Sequence, residues 1–188
     1  MPDKYQNFAE LATQEVLDKD YRIRIKSLPD SNVAILAPHG GSIERRTSEI
    51  ASDIAGNEHN LYLFEGLDPN GTFDTLHITS HRFDEPQCLA LVANIDTVVT
   101  VHGCTGKQQF VYVGGLDLAL KAAIEKAINA VGIHIENHNP QFQGRHARNI
   151  CNRGASGRGV QIELSDGLRG APEERLVSES IRQVLRKT

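Results

Sequence analysis

The apolar residues of this chain change period repeatedly, and no other feature limits its architecture as strongly. Residues 32–38, NVAILAP, form an apolar run of single-strand length. From Ile43, apolar or small residues recur at Thr47, Ile50, Ala51 and Ile54, one face of a helix that Ser42 is placed to N-cap and Gly56 to end. Strand-like segments YRIRIKSL, LYLFEG, LHITSH, TVVTVHG, QFVYVGG, IHIEN and VQIELS alternate with helical ones. The helical segments are NFAELATQEVL, DEPQCLALVANI begun by Asp84 and Pro86, LDLALKAAIEKAINAVG, and PEERLVSESIRQVLRK. In the third of these, Leu116, Leu120, Ala123, Ile124, Ala127 and Val131 share a face. A polar, glycine-rich stretch covers 144–159. So many helix-strand crossovers predict an α/β fold with a mixed, largely parallel sheet and helices on both faces. With 188 residues and no internal repeat, a single domain over 1–188 is expected. Open sheets of this kind bind ligands beyond the carboxyl ends of their strands.

Charge and composition exclude several classes of function. A net charge of -4 leaves no basic field for nucleic acid. No run approaches the roughly 20 apolar residues that span a bilayer, so no membrane partner is expected. The opening MPDKYQNFAELATQEV has neither a basic nor an apolar leader region, and a soluble chain made in the cytoplasm without a signal peptide is expected. Cys88, Cys104 and Cys151 are odd in number and lack a CxxC spacing, so free thiols are the default.

The chemistry gathers at strand ends. His39 follows VAILAP, His102 ends TVVTVH, and Glu44 lies just beyond His39 after two glycines that tolerate positive φ. Two imidazoles and a carboxylate leave a fourth tetrahedral position open, the ligand set of a catalytic zinc site. Singly, each residue has a plainer reading: a hydrogen-bonded loop histidine, or a glutamate complementing a helix dipole. In GVQIELS, period two puts Gln161, Glu163 and Ser165 opposite Ile162 and Leu164. Glu163 is therefore either a general base beside the metal or a solvated residue of an edge strand.

The segments APHGGSIERRTSEIA, LHITSHRFDEP, VVTVHGC, VYVGGLD and ICNRGASGRGVQIELS, in this order, resemble the bacteriophage poly-γ-glutamate hydrolase family. The likeness runs from about Ala34 to the end of the QIELS strand and adds little at either terminal helix. It implies a compact relative of the zinc carboxypeptidase fold with one Zn2+, His39, Glu44 and His102 as ligands, and Glu163 as general base. Zinc carboxypeptidases separate their first histidine and glutamate by two residues, whereas four intervene here, so the comparison bears on architecture more than on local geometry.

The resemblance also implies an anionic substrate, poly-γ-glutamate; action outside the cell after host lysis is expected, and a monomer is favoured although the sequence does not give the oligomeric state. Guanidinium forks suit its carboxylates, and Arg82, Arg145, Arg148, Arg153 and Arg158, with His146, are the candidates, an ordinary solvated loop being the alternative. Three other functions remain open in the sequence. One is a cysteine hydrolase built on Cys104. Another is an amidase acting on N-acylglutamates or γ-glutamyl cell-wall peptides. The third is a zinc-stabilised binder of acidic peptides, which would gain nothing from Glu163.

Overall fold

The changes of period become α1 (Phe8–Leu11), β1 (Tyr21–Lys26), β2 (Val33–Gly41), α2 (Thr47–Ala55), β3 (Asn60–Gly66), α3 (Phe73–Leu76) and α4 (Pro86–Val92). They continue as β4 (Thr97–Cys104), β5 (Phe110–Gly115), α5 (Leu118–Ala130), β6 (His134–Ile135), β7 (Val160–Ser165) and α6 (Glu174–Leu185). This computed structural model describes residues 3–136 and 139–187, so His138, assigned no site role, lies outside the described residues.

All strands join one seven-stranded sheet in the order β1-β3-β2-β4-β7-β5-β6. The pairs β2–β3, β2–β4, β4–β7 and β5–β6 are parallel, and β1–β3 and β5–β7 antiparallel. The mixed, largely parallel sheet is thus as expected. One face packs under α2, α5 and α6 through Ile35, Ile54, Val101, Ile124, Ile162 and Ile181. The other is covered by the N-terminal segment, α3, α4 and the turn at Ile150, against Leu36, Tyr62, Phe64 and Phe83. Fully burying an aliphatic side chain contributes about 1.5–3 kcal/mol, so Ile35 and Ile162, both at 0% exposure, help fix which face of β2 and β7 looks toward the helices.

Four local expectations change. The first helix stops at Leu11, because the Asp20 carboxylate accepts from the Val16 amide and Asp18 takes a left-handed φ of 63°; Val16 and Leu17 end up half exposed. LHITSH is not a strand: α3 ends at Leu76, and the Thr79 amide donates to Asp3 rather than to a neighbouring strand. Ser42 does not cap α2, which begins at Thr47 after Arg46 in left-handed geometry; the Ser42 hydroxyl pairs with Thr72 instead. On α5 the buried stripe is Leu120, Ile124 and Ile128, and Val131 is partly exposed. Gly56 ends α2 with a φ of 50°, as expected.

Candidate active site

Strand periodicity places the polar side chains that matter on the face away from α2, α5 and α6. On β4, Val99 and Val101 enter the helix-covered core, while Thr100 and His102 point the other way. On β7, Ile162 and Leu164 do the same, leaving Gln161 and Glu163 beside His102, the register partner of Glu163 across the parallel pair. The strand is internal, flanked by β4 and β5, so the solvated edge-strand reading of Glu163 is ruled out.

His39 reaches the same face through an irregularity. Ala37 of β2 faces Leu63 of β3, but Gly40 already faces Glu65, so β2 carries one extra residue there. Strict alternation from Ile35 and Ala37 would have sent His39 into the helix-covered core; the bulge re-aims it. Gly40 is required for packing, since a Cβ would lie 2.9 Å from the Phe64 carbonyl, and Gly41 for its φ of 62°.

The ligand atoms converge. His39 Nδ1 lies 3.1 Å from Glu44 Oε1 and 3.1 Å from His102 Nδ1, and His102 Nδ1 lies 3.7 Å from Glu44 Oε2. Tetrahedral zinc with bonds of about 2.0–2.1 Å sets its ligand atoms about 3.3 Å apart, close to these edges. His39 Nε2 donates to the Ile78 carbonyl at 2.8 Å, which fixes the ring with Nδ1 inward, as outer contacts do for metal-binding imidazoles. Glu44 Oε2 accepts from the Gly103 amide at 2.8 Å. His39, His102 and Glu44 are all buried, and His102 Nε2 has no partner among the described residues.

Electrostatics follow this crowding. Burial opposes charge on Glu44, but His39 and His102 hold its carboxyl far below the usual range. Burial, then repulsion from Glu44, pushes Glu163 well above it, against a partial offset from Arg169 and the Gln161 amide, which donates to Glu163 Oε1 at 2.8 Å. Gln161 in turn accepts from Asn149 at 2.7 Å, so the base candidate hangs on a fixed chain. A dication held by His39, Glu44 and His102 would favour the ionised form of both carboxylates.

His77, placed by the sequence inside the strand-like LHITSH and not among the ligands, also belongs here. Its ring centroid is 4.1 Å from that of His39 and its Nε2 is 3.9 Å from Glu44 Oε1. His39, Glu44 and His77 form a group able to hold a metal, with ligand atoms within 4.8 Å of one another. Burial, then His39, pushes its pKa down to about 4. Nothing in the local sequence marks it, because Asp3, which orients it, is remote in the chain.

The substrate candidates separate into two groups. Arg82 donates to Asp3 at 2.6 Å, so its fork is partly occupied. His146 sits ring against ring with His81 at 5.0 Å, and Arg82 and Arg148 both depress the His81 pKa, after burial and His146. These side chains cluster together, and Asp3, shared by Arg82 and His77, joins the cluster to the histidine site. Arg145 instead lines a cavity of about 70 Å³ with Tyr112, Gly114 and Phe142. Arg153 and Arg158 make no contact with this cluster among the described residues. Arg153 approaches the Phe83 carbonyl, and Arg158 pairs loosely with Asp117 beside the amino end of β7, because the glycine-rich loop enters that strand from the end opposite the histidines. Cys104 is buried, and burial, then Glu163, pushes its thiol up to about 12, the opposite of what an activated nucleophile requires.

Residues 5–183 match the family model described as poly-gamma-glutamate hydrolase. The chain belongs to this family. Among curated relatives, the SPbeta prophage-derived protein YoqZ of Bacillus subtilis is 38% identical over 87% of this chain and 59% of its own length. YndL of the same organism is 38% identical over 89% of this chain and 66% of its own, so the chain spans less than two thirds of either relative. Among solved structures, a bacteriophage poly-gamma-glutamate hydrolase superposes with a TM-score of 0.92 at 30% identity, covering 98% of this chain and 97% of that one. A zinc-free form of YndL gives 0.90 at 34% identity, covering 98% of both chains. An N-formylglutamate amidohydrolase from Ralstonia eutropha, at 10% identity and a TM-score of 0.54, covering 89% of this chain and 96% of its own, shares the fold alone. No described helix of this family member is long and apolar enough to cross a membrane.

Proposed function

We propose that the protein hydrolyses the γ-glutamyl amide bonds of poly-γ-glutamate with one zinc ion, held by His39, Glu44 and His102, and with Glu163 as general base. The observation that carries this reading is the convergence of two imidazole nitrogens and the Glu44 carboxylate on the face where Glu163 stands opposite His102 in register. Family membership supports the substrate class, and the zinc-free YndL structure supports the metal.

Zinc bound at the triad supplies a Lewis acid that polarises the scissile carbonyl and makes water a competent nucleophile near neutral pH. Glu163, fixed by Gln161, accepts the proton of the attacking water and returns it to the departing α-amine, so that water is consumed and one carboxylate and one amine appear. Glu44 is held by the Gly103 amide and stays ionised. His81, Arg82, His146 and Arg148 offer positive or hydrogen-bonding groups to the polymer's free carboxylates. Three protein ligands leave one position open; His77, 3.9 Å from Glu44 Oε1 and turned by its Nδ1 contact to Asp3, is assigned to the surroundings of the set. The proposed site of action on this polymer is extracellular, after lysis. A viscosity assay on poly-γ-glutamate with and without a chelator tests the reading: chelation abolishes the fall in viscosity, and zinc restores it.

A further inference from the structure

We infer that Asp3, on the N-terminal arm, is a positioning residue of the active site. It fastens the 77–82 segment, and that segment sets the His39 ring. The inference rests on the proposed metal centre for its consequence and on geometry for its claim.

The Asp3 side chain is only 5% exposed, and both oxygens serve the same segment. Oδ1 meets His77 Nδ1 at 2.7 Å; Oδ2 accepts from the Thr79 amide at 2.8 Å, the Thr79 hydroxyl at 2.7 Å and Arg82 Nη2 at 2.6 Å. Between His77 and Thr79 lies Ile78, whose carbonyl takes the His39 Nε2–H at 2.8 Å. The same segment lays His77 beside His39, with ring centroids 4.1 Å apart, and Phe73 stacks on His77 at 4.5 Å. A carboxylate in water would not be drawn out of it for a single loop contact; burial without partners is costly, and four donors here offset that cost. The segment has no helix or strand of its own at 77–82, so Asp3 supplies the fixed partner that a regular element would otherwise give. The arm is also anchored independently of this contact, through buried Tyr5 and the Lys4–Glu15 pair.

Two measurements on the full chain test this. In metal-depleted protein, the His39 Nε2–H is expected as a slowly exchanging side-chain NMR signal in the wild type and in Lys4→Ala. Asp3→Ala should lose it, and Asp3→Asn, which keeps the shape and one acceptor, should retain it in part. In competition with a chromogenic chelator, Asp3→Ala should bind zinc about 10- to 100-fold more weakly, the range for losing an outer-shell partner. Asp3→Asn should lose less, and Lys4→Ala should match the wild type. An Asp3→Ala protein that keeps both the protected His39 signal and wild-type zinc affinity overturns the inference. A wild type that takes up no zinc would instead defeat the metal-centre reading, and the His39 signal alone would then decide the role of Asp3.

Discussion

Replacing Glu163 by glutamine separates catalysis from stability. The amide keeps the shape, and its oxygen can still accept from Gln161 Nε2, now at 2.8 Å from Glu163 Oε1, so the Gln161–Asn149 chain survives. Basicity is lost. General acid-base help contributes about 10²- to 10⁴-fold, so kcat should fall at least about 10²-fold, or about 2.7 kcal/mol of barrier. Zinc content and KM should change little. Stability should move the other way. The Glu163 pKa is raised in the fold by burial and by Glu44. Below the unfolded carboxyl pKa both states hold the proton and no penalty exists; as pH rises past it, only the unfolded chain ionises freely and the fold is penalised. Metal-depleted Glu163→Gln should therefore melt higher than metal-depleted wild type at neutral pH, with the gain vanishing as pH falls below about 4.3. The assays are initial rates on poly-γ-glutamate, metal content, and thermal melts across pH. Retention of more than about a tenth of the wild-type kcat, above what loss of a general base allows, would refute the mechanism; loss of zinc would make Glu163 a ligand.

Other expectations follow from the same geometry. His39→Ala and His102→Ala should each lose zinc by metal analysis, whereas His77→Ala should retain it at reduced affinity; equal loss in all three would mean a closed, four-ligand site. Raising salt should raise KM for the polymer if it is held by Arg82 and the exposed Arg148, because such ion pairs are screened, and a KM independent of ionic strength would argue against a polyanionic substrate. Iodoacetamide should leave activity intact, since Cys104 is buried with its thiol pushed up to about 12; inactivation with zinc retained would reopen the thiol chemistry.

Much of this site is legible in the sequence because strand parity is local. The alternation of VQIELS places Glu163 opposite Ile162 and Leu164, and the apolar run before His102 fixes the end of β4. Parity fails at His39. The strand pattern of β2 points that ring into the helix-covered core, and only pairing with β3 reveals the extra residue that turns it around. His77 escapes for a different reason: its orientation depends on Asp3, a contact between distant parts of the chain that no window of the sequence contains. The arginines show a third limit. Composition marks 144–159 as basic and glycine-rich, but not which neighbours each guanidinium meets, so Arg153 and Arg158 pair with the Phe83 carbonyl and Asp117 while Arg148 joins Arg82 around His81. LHITSH has the alternation of a strand, yet β2 is already flanked by β3 and β4, and Asp3 takes the Thr79 amide.

The most direct test of the central claim is metal content measured together with chain scission on one preparation of the full chain. The account predicts about one zinc per chain, from a single site with three protein ligands and one open position. It predicts loss of polymer cleavage when a chelator removes that zinc, and recovery in proportion to zinc restored. Cleavage of poly-γ-glutamate at an undiminished rate by protein shown to be metal-free would contradict it.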